Sequence, residues 1–236
     1  MTAEREMEKH LRAGPILIAW IGLAILLQAA LWVCGARETG VGEAVEAGAA
    51  KAETRGIGEQ ADDVVRKAIA LQQDTRPFWV TLTLLGDFVV EPLGFAFRAL
   101  LVASIFSGLA AISARPVDFG RALAGCALAQ GFWVLGLAVS LGLTLALRRT
   151  EIETSPVLLL SPGTHPAAVY VALRQLDLFA LLGWFTMAWG GITRRQVGPI
   201  AAFLVCGVLW MFESIVRMEF SLIIGSAMRL VLIPEY

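Results

Sequence analysis

The residues most able to do chemistry in this chain are charges set in apolar sequence: Asp87, Glu91, Arg98, Arg174, Asp177, Glu213 and Arg217. A charge at mid-bilayer costs about 3 kcal/mol or more, so each such residue needs a partner or a role. Arg174 and Asp177 lie three apart, a spacing that sets both on one face of a helix. Two readings follow. The pair forms a polar site inside a helical bundle, binding a lipid headgroup or gating a path, or it is a salt bridge that makes both charges tolerable and fixes helix register. Glu213 and Arg217 are spaced i, i+4 in the favourable order and read as a structural pair. Asp87, Glu91 and Arg98 form a second charged set. If these converge with Asp177, the carboxylates would suit proton or cation handling.

Other chemistries find no support in the motifs. The chain has no GxxxxGK[ST], no GxGxxG after a strand, no HExxH and no GxSxG, which removes the common soluble reactions. We therefore assign no catalytic, cofactor-binding or metal-ligating residue and expect a non-enzymatic protein without a cofactor. Cys34, Cys126 and Cys206 are far apart and lack CxxC partners. They read as buried small apolar side chains. His165, in a Pro-bounded loop, and His10, near the start, have no second His or Cys at metal-ligand spacing. The net charge of −1 gives no reason to expect a nucleic acid partner.

The elements that must position these charges are membrane spans. The chain has 236 residues, 57% hydrophobic and 17% charged, against about a quarter charged in soluble domains. Gly14–Cys34 is uncharged and one bilayer thick at 1.5 Å per residue. It reads as an uncleaved anchor, with Trp20 and Trp32 toward its interfaces. Residues 35–76 are a polar insertion. Its second part, Glu59–Thr75, spaces Ala61, Val64, Val65, Ala68, Ile69 and Leu71 as an amphipathic helix lying on the membrane or against a partner. Phe78–Val90 reads as an interfacial or re-entrant piece. A second span follows over Leu93–Ser113, with Pro92 in its first turn.

Segment three is Ala122–Leu147. Its small residues Gly131, Gly136, Ser140 and Gly142 permit close helix approach. Residues 148–167 form a loop with turn signals at Ser155-Pro156 and Ser161-Pro162-Gly163. Segment four is Ala168–Ile192. Segment five begins at Val197 and runs to about Met211, and the tail beyond either extends it or lies at the interface. The fold class is therefore all-α, a polytopic membrane protein of five spans with an outer helical insertion. Three units follow: 1–34, 35–76 and 77–236.

Arg5, Lys9 and Arg12 precede the first span, Arg115 and Arg121 flank one short turn, and Arg194 and Arg195 fill another. With five spans all three sites share one side. The positive-inside rule then puts the N-terminus in the cytoplasm of a bacterial inner membrane and the C-terminus outside. Arg148-Arg149 is dissonant with this scheme.

Residues 97–220 resemble the bacterial branch of the Yip (Ypt-interacting-protein) family. The stretches that carry this are FRALLVASIFSGLAAISARPVDFGRALAGCALAQGFWVLG and VALRQLDLFALLGWFTMAWGGITRR. They contain the turn Val117-Asp118-Phe119-Gly120-Arg121, the entry Leu176-Asp177-Leu178-Phe179, and then Trp184 and Gly190-Gly191. A proline common in the family's third segment is missing from Ala129-Gln130-Gly131-Phe132, and the first hundred residues go beyond the core pattern. The resemblance implies a five-helix membrane protein without known catalysis. GTPase binding, known of eukaryotic members, is not carried over.

The functional expectation is a non-enzymatic membrane subunit, a scaffold or accessory partner in an envelope transport complex. Its partners would be other integral membrane proteins and lipid, in a hetero-oligomer. The alternative is a small transporter or lipid-handling permease using the intramembrane carboxylates. An intramembrane enzyme would need a titratable group facing a water-filled cavity.

Overall fold

The computed structural model describes residues 13–56, 62–147, 152, 154–160 and 167–228, without the side chains of 51–56, 167 and 228. Arg5, Lys9, His10, Arg12, Arg148, Arg149, Ser161-Pro162-Gly163 and His165 lie outside the described residues. Every regular element among the described residues is helical. The chain is an all-α polytopic membrane protein, with four helices long and apolar enough to cross a bilayer and a fifth crossing if one bent pair is a single span.

Helix α1 (Ala13–Val33) spans 21 residues, about 31 Å at 1.5 Å per residue. It stops at Gly35, whose φ of +77° is the left-handed conformation that favours glycine. The chain resumes at once as α2 (Ala36–Gly56). That stretch has four glycines, and its apolar repeat is confined to Val41, Val45 and Ala49 among small and charged residues, so the sequence reading placed no element there. After the undescribed residues, α3 (Asp62–Asp74) packs on α2. Asp62 and Asp63 in its first turn complement the positive end of the helix dipole. The expected amphipathic helix thus exists, but it packs against α2 of its own chain.

Helix α4 (Arg76–Leu85), a π-helical turn (Gly86–Val90) and α5 (Glu91–Ile112) follow without a loop. Asp62–Ile112 is one helical run of 51 residues, about 76 Å long. This corrects the re-entrant reading of Phe78–Val90, which does not turn back but runs on as helix into α5. Pro92 sits inside this run. A proline lacks the N–H for the i−4 bond and clashes with that carbonyl. The wider π turn just before it is the usual accommodation of such a break.

Helices α6 (Phe119–Ala129) and α7 (Gly131–Leu147) form the third crossing, interrupted at Gln130. Asp118 caps α6 by accepting from the Arg121 N–H at 2.9 Å. Past a 3₁₀ turn (Pro156–Leu159) come α8 (Ala167–Arg174) and α9 (Leu178–Thr193), bent by 46° between them. Segment four is therefore a broken helix. Helix α10 (Pro199–Met228) is continuous over 30 residues, so residues 212–228 extend the last helix.

The main core joins Phe95, Val102 and Phe106 of α5 to Trp133 and Val134 of α7 and to Trp184 and Met187 of α9. Two glycines make this packing feasible. A Cβ on Gly183 would stand 2.1 Å from the Trp133 ring, and one on Gly191 2.5 Å from the Phe106 ring. Trp20 packs over Gly131. A second, small core of Val41, Val45 and Trp79, with Ile224 against it, ties the α2–α3 hairpin to α4 and the end of α10. Exposed apolar residues such as Ile200, Leu204, Val208, Phe212 and Ile215 run along α10, as a helix in contact with lipid requires.

Candidate functional site

The bundle has a hairpin end and a turn end. At the turn end, Gln196 donates to the Asp118 carbonyl at 3.0 Å, and Arg115 approaches Gly198. The Arg194 guanidinium fills a slot between α6 and α9, where a Cβ on Gly125 would meet it at 2.0 Å and one on Gly190 at 2.7 Å. Arg115, Arg121, Arg194 and Arg195 therefore share one end, as the loop charges suggested.

At the hairpin end lies a cavity of about 460 Å³, open on one side. Arg37, Glu91, Arg174, Asp177 and Arg217 line it, with Trp133, Leu137, Ile152, Phe220 and Ile224 as apolar walls. Each charge has a local reason for its position. The Gly35 turn places Arg37 in the first turn of α2. Its guanidinium meets Asp87 at 3.2 Å and donates to Gln28 at 3.3 Å. Gln28, wholly buried on α1, donates in turn to Glu91 at 2.8 Å. Asp87 lies in the π turn and also accepts from the Trp32 indole at 3.0 Å. These contacts lace the α1–α2 junction to the start of α5.

Asp177 and Arg174 do not share one helical face, because the helix breaks between them. Asp177 is instead the N-cap of α9: one carboxylate oxygen accepts from the Ala180 N–H at 2.8 Å, and the other from the Thr154 hydroxyl. The break lets it satisfy two donors while Arg174, at the end of α8, reaches the same cavity. A capping carboxylate followed by an apolar run is a helix-start signature, outweighed in the sequence by the i, i+3 spacing.

Glu213 and Arg217 pair as expected, at 2.8 Å, but Glu213 also holds Arg98 at 3.2 Å. Arg98 is 4% exposed. It donates to Gln130 at 2.8 Å, and its guanidinium lies 4.4 Å from the Trp133 ring centroid and 5.3 Å from that of Phe95. Gln130, at the α6–α7 break, donates back to the Cys126 carbonyl at 3.2 Å. A polar column thus descends from the cavity through Arg217, Glu213, Arg98 and Gln130 toward the turn end. Two buried atoms in it, Arg98 Nη2 and Glu213 Oε2, have no hydrogen-bond partner among the described residues.

The expected convergence is therefore partial. Glu91 and Asp177 share the cavity, while Asp87 stands one contact behind it through Arg37, and Arg98 two contacts behind through Glu213 and Arg217. The lining is richer in arginine than in carboxylate. Arg37, Gln28, Trp32, Thr154 and Gln130 are partners that the sequence reading missed. The signal was available for two of them, since Gln28 and Gln130 are polar residues within otherwise apolar spans. Cys126 and Cys206 are buried, but Cys34, expected to be buried too, is exposed. No group of three His, Cys, Asp or Glu suited to a metal occurs among the described residues.

Fold and site define the class: an all-α polytopic membrane protein with a charged cavity at one end of its bundle. No family model, no curated protein and no solved structure matches the chain.

Proposed function

We propose that this is a non-enzymatic, lipid-handling protein of the bacterial inner membrane that holds the polar headgroup of an amphiphile in the hairpin-end cavity. The observation that supports this is the lining itself. Three guanidiniums and two carboxylates meet apolar walls in one open cavity at the end of a lipid-facing bundle. Guanidiniums form paired hydrogen bonds with phosphate oxygens, and the apolar walls suit the glycerol and first acyl carbons. On the positive-inside rule, the arginine-bearing turn end and the N-terminus face the cytoplasm, so the cavity opens at the extracytoplasmic leaflet. A Yip-like core over residues 97–220 is compatible with this reading and remains part of the proposal.

The test is native mass spectrometry of the full chain extracted with its lipid. The wild type should retain tightly bound lipid, and Arg174→Gln/Arg217→Gln should lose it. Equal retention would reject the cavity as the site.

The accessory-subunit reading has one observation in its favour. The α2–α3 hairpin is fastened to the spans by continuous helix and by the Val41–Val45–Trp79 core, which suits a docking module. Its other motive is weakened, because three of the four small residues of segment three are used within the chain. Gly131 lies under Trp20, Gly136 under Phe179, and Ser140 donates to the Ile152 carbonyl. Stoichiometric co-elution of other membrane proteins, lost on removing 36–74, would establish the subunit reading instead.

A further inference from the structure

We infer that the Glu213 carboxylate is a displaceable anion: a ligand phosphate takes its place on Arg217, and the carboxylate then closes a two-bond fork on Arg98 inside the bundle. This rests on the amphiphile-binding reading above and adds how the site passes its occupancy inward. The observation is how one carboxylate is used. Glu213 Oε1 carries both guanidiniums, Arg217 Nη2 at 2.8 Å and Arg98 Nε at 3.2 Å. Its other oxygen, Oε2, is buried and has no hydrogen-bond partner among the described residues. Arg98 Nη2 is buried and unpartnered as well, while Nη1 donates to Gln130 at 2.8 Å.

The two idle atoms are complementary. An arginine that meets a carboxylate side-on uses Nε–H and Nη2–H, one to each oxygen, and such forks are stronger than single contacts. Arg98 and Glu213 have the first leg, Nε to Oε1, and an unused atom at each end of the second. A buried donor and a buried acceptor left unmade are both unfavourable. Gly94, one turn earlier on α5, leaves space beside Nη2, where a Cβ would stand 3.3 Å away. Arg217 is the competitor, since it takes the shared oxygen at the shorter distance. It also lines the cavity and is half-exposed, whereas Glu213 and Arg98 lie behind the wall. A phosphate in the cavity offers Arg217 two oxygens at once and so competes with Glu213 for it. The released carboxylate turns about its last bond, and Oε2 accepts from Arg98 Nη2. Longer-range charge acts in the same direction. Arg217 repels Arg98, and a phosphate on Arg217 offsets that repulsion. Glu91, on the cavity wall, attracts Arg98 more weakly than Glu213 does, in both states. Occupancy of the cavity thus ties α10 to α5 and, through Gln130, to the α6–α7 break.

The experiment is NMR of the full-length chain, labelled with ¹⁵N-arginine and delipidated in mild detergent. The Arg98 side-chain signals are identified by their NOEs to the Trp133 and Phe95 rings, whose centroids lie 4.4 and 5.3 Å from the guanidinium. The probes are dioleoyl phosphatidylglycerol, dioleoyl phosphatidylethanolamine, dioleoylglycerol (same chains, no phosphate) and inorganic phosphate, with binding read in parallel by native mass spectrometry. Arg217→Gln should show the fork without any lipid. Its Arg98 Nε–H should move downfield, and its Nη2–H should exchange with water about ten-fold more slowly than in the lipid-free wild type, the factor that one bond to a charged group supplies. The wild type should reach the same spectrum with either phospholipid and stay unchanged with dioleoylglycerol. Glu213 keeps Arg98 in Arg217→Gln, so this variant strands no buried charge. An Arg217→Gln spectrum identical to the lipid-free wild type overturns the inference, whatever lipid does. Phospholipid that binds without moving the Arg98 signals overturns it too and leaves the amphiphile reading standing. Failure of both phospholipids to bind overturns the amphiphile reading and the trigger with it. Inorganic phosphate that moves the signals as far as phospholipid at equal concentration overturns lipid as the trigger.

Discussion

Removing the Glu213 carboxylate should be among the most damaging conservative changes in this protein. Glu213→Gln keeps shape and volume but leaves Arg98, 4% exposed, without its counter-charge. Breaking a buried pair by deleting one partner costs about 3–5 kcal/mol, because the remaining charge stays desolvated. The Gln130 contact at 2.8 Å and the two aromatic faces remain and hold part of the charge, so we expect about 3 kcal/mol, at the low end of that range. Arg217 is half-exposed and can turn to water, so it adds little. Arg98→Met/Glu213→Gln removes the stranded charge and should be milder. Its main cost is the unpartnered Gln130 oxygen, about 1–3 kcal/mol. The expected coupling between the two changes is about 1–2 kcal/mol. Reversible SDS-titration unfolding in mixed micelles, followed by tryptophan fluorescence, measures all three chains. A Glu213→Gln cost under about 1 kcal/mol, or a double variant no milder than the single, would refute the buried-pair account.

Further outcomes follow from the packing and the caps. Gly183→Ala, whose Cβ would stand 2.1 Å from the Trp133 ring, should destabilise by about 1–3 kcal/mol, whereas Gly142→Ala, with nothing within 4 Å, should be neutral or stabilising by up to about 1 kcal/mol. The same titration distinguishes them. Asp177→Ala should cost about 1 kcal/mol through the lost cap, while Asp177→Asn, an equally good cap, should be nearly silent in unfolding titrations. Ala114 ends α5 at φ +50°, so Ala114→Gly should raise stability by about 0.5–1 kcal/mol by relieving the left-handed strain. A membrane-impermeant maleimide should label Cys34 in sealed vesicles from the hairpin side only, while Cys126 and Cys206 react only after unfolding.

Much of the architecture was legible because membrane spans announce themselves by length and lack of charge. The ends and breaks were less legible. The α8–α9 bend depends on Asp177 preferring two donors, Thr154 and the Ala180 N–H, over an i, i+3 partner, and Thr154 lies in a loop 23 residues earlier. The run through Phe78–Val90 looked too charged for one span. Its Asp87 is satisfied by Trp32 of α1 and Arg37 of α2. Helix α2 carries only a short apolar stripe, Val41, Val45 and Ala49, whose partners on α3 and α4 come later in the chain. The Glu213–Arg217 pair was readable from spacing alone, but its third member, Arg98, joins it only through the fold. In each case the missing information was a contact between residues far apart in sequence.

The most direct test of the headgroup cavity is site-specific photocrosslinking in native membranes. A diazirine amino acid is placed at Ser221, which lines the cavity, and in parallel at Ile200, exposed near the turn end. Adducts are then identified by mass. The account expects phosphoglycerolipid adducts at Ser221 that fall when Arg174 and Arg217 are both replaced by Gln, against an unaffected background at Ile200. Ser221 adducts that match the Ile200 background and ignore the arginines, or that carry peptides of another protein, would contradict it.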